Sequence, residues 1–165
     1  MKIARFRSNG RTAFGVVQGD EVVEIRGSIF TRFRLTDTKH SLQDVKLLPP
    51  TEPSEIWCPG LNFANHLEFA AGVLGDENPT VPEHPEPWIK ARGSLTGTGE
   101  PIVLPSDSTD VHYEGEAVAV IGKLCHRVTI KDAPKYILGY TCGNDVSDRT
   151  WQKDDWTFWR AKGAD

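Results

Sequence analysis

No apolar run in this chain approaches the about 20 residues that a bilayer crossing requires. Its opening, MKIARFRSNG, carries charge where a secretory leader would carry an apolar core. Neither a membrane nor an export route is expected, and the cytoplasm is the expected compartment. Cysteine is scarce: Cys58, Cys125 and Cys142 are odd in number and show no C-x-x-C spacing, which points away from a disulfide framework and from zinc. An excess of one charge is also missing. The 19 basic and 23 acidic side chains leave a net charge of −4 with no long charged block, which argues against nucleic acid as a partner. Repeats and low-complexity tracts are absent as well. What remains is a globular profile, 38% apolar over 165 residues, enough for one domain of ordinary size or a domain with a small appendage.

The first 25 residues read as a β-meander. Lys2 to Arg7 alternates in character, Asn9-Gly10 is a hairpin turn signal, Arg11 to Val17 alternates again, and Gly19-Asp20 precedes an apolar strand from Val22 to Ile25. Patterning then weakens, with one helical turn expected at Ser41, where Ser-Leu-Gln-Asp resembles a capping box. Pro49-Pro50 and Glu52-Pro53 behave as a linker, so the expected division is a small β-domain over 1–53 and a larger one over 54–165. Ile56-Trp57-Cys58 is a short strand. Asn62 is placed to cap a helix that ends before Gly75, with Phe63, Leu67, Ala70, Ala71 and Leu74 on its apolar stripe and His66 at the stripe's edge. Such a histidine is either a hydrogen-bonded core residue or, if a site lies nearby, part of it. Residues 75–101, rich in proline and glycine, read as a long loop interrupted by Trp88-Ile89-Lys90, where Lys90 is a solvated charge or a holder of an anionic substrate. Short strands are expected at Ile102 to Pro105 and at Arg127 to Ile130. A short helix capped by Asp132 precedes Gly139, a strand from Tyr140 runs into a Gly-Asn turn at Asp145, and Ser147 is the expected cap of a helix that sets Arg149 and Gln152 on one face.

The densest chemistry lies in His112 to Lys123, HYEGEAVAVIGK. Val118 to Ile121 is an apolar, partly β-branched run closed by Gly122, the pattern of a buried strand. Side chains alternate along a strand, so Glu114 and Glu116 share a face with Val118 and Val120, roughly 7 Å apart. Turned inward, two carboxylates raise the cost of ionising each other, and a hard divalent cation would neutralise them. Turned outward, they are the solvated start of a strand.

Four stretches together resemble the fumarylacetoacetate hydrolase family: Asn62 to His66 (NFANH), Gly99 to Pro105 (GEPIVLP), His112 to Lys123, and Gly139 to Arg149 (GYTCGNDVSDR). The resemblance covers about residues 54–165, and the first fifty resemble the small N-terminal β-domain of many bacterial-type members. It implies an α+β, strand-rich fold, a mixed rolled sheet with peripheral short helices around a divalent metal, in a homodimer. Carried over position by position, the metal carboxylates are Glu114, Glu116 and Asp145, holding Mg²⁺ or Mn²⁺, with Ca²⁺ accepted by the same donors. His66 matches the histidine that activates water or moves a proton, Lys162 the lysine that neutralises a carboxylate or oxyanion, and Arg149 and Gln152 polar positions lining the pocket.

The implied substrates are 2-oxo or 2,4-dioxo acids, whose vicinal carboxylate and keto oxygens chelate the metal. The first expected activity is hydrolysis of a C–C bond in an acylpyruvate-like or fumarylacetoacetate-like acid. Isomerisation, decarboxylation or lyase chemistry on a hydroxymuconate- or oxaloacetate-like acid is the alternative, and a non-catalytic metal-binding copy is the third. Two departures bear on the choice. Many hydrolytic members carry a glutamate three residues after the histidine, where this chain has Phe69; Glu68 lies about 160° around the helix from His66 and does not substitute. The chain also ends at Arg160 to Asp165 without a capping element, so a catalytic domain incomplete at its C-terminus is expected.

Overall fold

The computed structural model describes residues 1–74 and 80–163, the side chains of 73 and 74 excepted. The fold is mixed α+β and rich in strand. By its contacts the chain divides into two units: Met1–Glu52 with Leu95–Val103 and Tyr113–Val146, and Pro53–Ser94 with Leu104–His112 and Ser147–Asp165.

In the first unit β1 (Ile3–Ser8), β2 (Arg11–Gln18), β3 (Glu21–Gly27), β4 (Phe33–Ser41) and β5 (Lys46–Leu48) form one antiparallel sheet in the order β4-β3-β2-β1-β5. Asn9 and Gly10 both take positive φ, 50° and 77°, as the two-residue turn between β1 and β2 requires. Phe6, Val16, Val22, Val23 and Ile29 are buried and form the core of this sheet. Beside it lies a closed polar cluster. The Glu24 carboxylate accepts from His40 Nε2 at 2.8 Å and from Arg11, which assigns His40 Nδ1 to accept from the Ser8 hydroxyl at 3.3 Å.

Burial pushes the Glu24 carboxyl up, but hydrogen bonds and charge from His40 and Arg11 outweigh it and hold the group below its ordinary value. A carboxyl depressed in the fold contributes stability above its unfolded value that is lost as pH falls through the folded one. Thermal melts between about pH 6 and pH 3 should therefore fall less steeply for Glu24→Gln than for the parent. Parallel curves would remove Glu24 from the acid response.

Past this sheet the first unit adds β9 (Gly115–Ile121) and β10 (Ile137–Asn144), an antiparallel pair. Among the described residues the second unit holds β6 (Ile56–Gly60) paired with β7 (Glu86–Lys90), β8 (Val111–His112) paired with β11 (Ser147–Asp148), and the helices α1 (Ala64–Leu74), α2 (Arg149–Gln152) and α3 (Trp159–Gly163). None of the helices is long and apolar enough to cross a membrane.

Several local expectations give way to neighbours. Ser41 ends a strand instead of opening a helix: it pairs with Glu21, and its hydroxyl accepts from Gln43 N at 3.2 Å, a turn in place of a capping box. Residues 102–105 lie outside any strand, bracketed by Pro101 and Pro105, which have no N–H to give a ladder. Residues 127–130 are likewise not a strand, and Arg127 there takes a positive φ of 50°. Helix α1 opens at Ala64, with Phe63 O accepting from His66 N and Leu67 N, so Phe63 and not Asn62 stands at its cap. Of its apolar stripe Ala71 is buried and Leu67 and Ala70 are half-buried, while Phe63 is exposed. The side chain of Leu74, the expected stop at Gly75 and the loop's first residues, 75–79, fall outside the described residues. Asp132 precedes a short 3₁₀ turn, Ala133–Tyr136, without capping it by its side chain. Ser147 is a fully buried strand residue, and Asp148 caps α2 in its place, its carboxylate accepting from Trp151 N at 3.1 Å.

Candidate metal centre

Strand β9 runs antiparallel to β10 with Glu116 opposite Gly143 and Gly115 opposite Asn144. The ladder continues one step further, where Asp145 N donates to Glu114 O at 2.8 Å, and Asn144 Oδ1 takes the Glu114 amide at 3.0 Å. Directly opposed residues of an antiparallel pair share a face, and so do residues two apart on one strand. Glu114, Asp145 and Glu116 are thereby set on the same face. Gly143 helps to keep that face open. A Cβ there would lie 2.7 Å from Val118 Cγ2, so the Val118 side chain would have to give way.

The result is a cluster in which one oxygen from each of Glu114, Glu116 and Asp145 lies within 4.8 Å of the others. Two oxygens bound to one Mg²⁺ or Ca²⁺ at about 2.0–2.6 Å lie no farther apart than about 4–5 Å. The trio therefore fits a hard cation both in donor type and in span. Burial is graded: Asp145 is 6% exposed, Glu114 half-buried and Glu116 exposed, so the strand's frayed-end reading holds for Glu116 alone. Such a gradient anchors the cluster at one end and opens it to solvent at the other.

The remaining expected site residues belong to the second unit. Arg149 and Gln152 are brought together, Arg149 Nη1 donating to Gln152 Oε1 at 2.6 Å. Arg149 Nε also reaches His112 Nδ1 at 3.5 Å, and His112 Nε2 is 2.8 Å from Asp110 Oδ1. Neither Asp110 nor His112 stood out as an Arg149 neighbour in the sequence, because β8 and β11 are about 35 positions apart and only their pairing joins them. Lys90 is half-buried at the end of β7, opposite Ile56. Lys162 is buried on α3, its Nζ 5.3 Å from the centre of the Trp88 ring. His66 is exposed in the first turn of α1, so its core-residue reading does not hold, and Phe69 one turn later is 70% exposed.

The sequence matches a family profile described as "Fumarylacetoacetate (FAA) hydrolase C-terminal" over residues 55–165 and one described as "Rv2993c-like, N-terminal" over residues 1–50. Rv2993c of Mycobacterium tuberculosis is 36% identical over 172 residues, covering 100% of this chain and 62% of that protein. The mitochondrial oxaloacetate tautomerase Fahd2a of Rattus norvegicus is 34% identical over 113 residues, 68% of this chain and 34% of its own length. Among solved structures, the 5-carboxymethyl-2-hydroxymuconate delta-isomerase of Mycobacterium smegmatis superposes with a TM-score of 0.86 at 36% identity, covering 100% of this chain and 62% of that one. The chain thus spans less than two thirds of the length of each of these relatives.

Proposed function

This chain belongs to the fumarylacetoacetate hydrolase family, and on that premise we propose that it serves a divalent-metal-dependent enzyme that moves a proton on a 2-oxo acid, as an isomerase or tautomerase. The observation that carries the metal part is the convergence of Glu114, Glu116 and Asp145 within 4.8 Å. A divalent cation held there supplies charge that polarises the 2-oxo group and offsets the negative charge developing on the substrate. Mg²⁺ and Mn²⁺ both suit three carboxylates.

The chain's own residues supply recognition and proton transfer, and their assignment rests on the family resemblance. Arg149, oriented by Gln152 and His112, offers a guanidinium suited to a substrate carboxylate. Lys162 contributes a second positive charge and Lys90 a third. His66 takes or returns the proton, a role that an imidazole can fill near neutral pH.

Hydrolysis is the second reading, and His66 itself favours it, since a histidine can also activate water. That use wants a carboxylate to orient the ring, and Phe69 occupies the position where, by the family resemblance, many hydrolytic members carry one. This departure places proton transfer first. The names of two relatives, a tautomerase and a delta-isomerase, support the same order. A homodimer and a cytoplasmic setting complete the proposal.

The test offers Mn²⁺-loaded protein three acids: oxaloacetate, a hydroxymuconate, and acetylpyruvate. Enol–keto exchange or isomerisation should be catalysed, with kcat/KM falling roughly 10³-fold in Asp145→Asn, the several kcal/mol that metal activation supplies. Release of acetate and pyruvate from acetylpyruvate alone would instead establish the hydrolase.

A further inference from the structure

Lys162 is a long, flexible cation, yet it is only 5% exposed. Two side chains outside the expected site contribute to its placement. The Asp155 carboxylate accepts from Ala161 N at 2.9 Å through Oδ2, and from Thr157 N and Thr157 Oγ1 at 3.3 and 3.1 Å through Oδ1. Burial pushes the Asp155 carboxyl up, but these donors and the Arg160 amide outweigh it and keep the group below its ordinary value. Asp155 thus ties down the turn that opens α3. Phe158, inside that turn, is held at a positive φ of 56°, an uncommon conformation for a residue with a Cβ. Phe158 O then accepts from Lys162 N at 2.9 Å.

Trp88 of β7 receives both residues. Its ring centre is 5.7 Å from that of Phe158 and 5.3 Å from Lys162 Nζ. The indole's own place is set by Gly60, since a Cβ there would lie 2.7 Å from Trp88 Cζ3. The paired strands β6 and β7, which carry Gly60 and Trp88, thereby form the seat for the ammonium group.

We propose that Trp88 and Asp155 are positioning residues for Lys162, Asp155 fixing the backbone from which the lysine projects and Trp88 the ring face over which its ammonium rests. The inference deepens the function above, because it rests on Lys162 serving substrate binding there. Neither residue touches substrate in this scheme. Their effect on catalysis passes through the lysine.

The experiment is competitive acetylation of the whole chain with limiting acetic anhydride, read by peptide mass spectrometry as the Lys162 rate relative to Lys131. Trp88→Leu, Asp155→Asn and Gly60→Ala should each raise that ratio by roughly five- to thirtyfold, the factor that one or two lost stabilising contacts produce. Trp88→Phe, which keeps a ring face, should restore most of the protection. Lys90, two positions along the same strand as Trp88, should not move. An unchanged Lys162 ratio, or Lys90 rising equally with Lys162, would overturn the proposal. Turnover is measured beside it. Raised labelling with KM increased and kcat nearly kept supports both positioning and the proposed reaction, whereas raised labelling with turnover unchanged keeps the positioning and removes Lys162 from that reaction.

Discussion

Addition of Mn²⁺ at about 100 times its dissociation constant should raise the melting temperature of this chain by about 5–10 °C. An ion that binds only the folded state contributes about 2.7 kcal/mol at that excess, and a domain of this size shifts by about 2–4 °C per kcal/mol. Without the ion the same trio is a source of strain. Like charges within 4.8 Å of one another repel by roughly 3 kcal/mol per pair at an effective dielectric constant of 20, less where water reaches them. Glu116 is the exposed member, so neutralising it removes two of the three repulsions at little cost in packing. Glu116→Gln should therefore melt higher than the parent in chelator, by about 1 kcal/mol or about 2–4 °C, and lower than the parent in Mn²⁺. The curves should cross. A variant that loses stability in both buffers would show that Glu116 is a structural residue and not a ligand. Mg²⁺ should act in the same direction, since the donors are all oxygen.

The second large effect lies in the other sheet of the same unit. Phe6 is fully buried in β1, its ring centre 5.3 Å from that of His40. Phe6→Ala removes the largest side chain of the core and leaves a cavity bordered by a polar cluster that cannot collapse freely, at a cost of about 3–5 kcal/mol or roughly 10 °C in melting temperature. Phe30→Ala, at a position 43% exposed, should cost no more than about 1 kcal/mol. Equal melting temperatures for the two variants would mean that the sheet's stability does not depend on this core. Mn²⁺ binding per folded molecule should survive Phe6→Ala, because the carboxylate trio draws its geometry from β9 and β10.

The meander and the grouping of the carboxylates were both legible in the sequence, for the same reason. Each rests on local rules: period-two alternation, the Asn9-Gly10 turn, and two glutamates spaced to share a strand face. Asp145 followed from its place at a strand's end and from the resemblance. The errors share a cause too. Ser41 satisfied a helix-capping pattern, but a strand edge beside Glu21 was available to it, and tertiary pairing overrode propensity. Ile102 to Leu104 carried strand-forming side chains between two prolines that deny the ladder its donors. Ser147 and Asp148 are both good caps and both are buried in β11; Asp148, directly before α2, is the one whose carboxylate reaches Trp151 N. Trp88 and Asp155 gave no signal that paired them with Lys162, since the three positions meet only through packing.

The sheet topology also orders events in time. In the N-terminal sheet β1 to β4 pair with their sequence neighbours, and only β5 returns to β1. Contacts so short in sequence form quickly, because little chain entropy is lost in closing them. On a ribosome adding about 5–20 residues per second, Leu48 is added roughly 5–20 s before Asp145. The meander is therefore a finished surface while the carboxylates of β9 still lack their partner on β10. A cation held by the three carboxylates would be captured late in the life of the nascent chain, and a shortage of the ion would be met by protein already half folded.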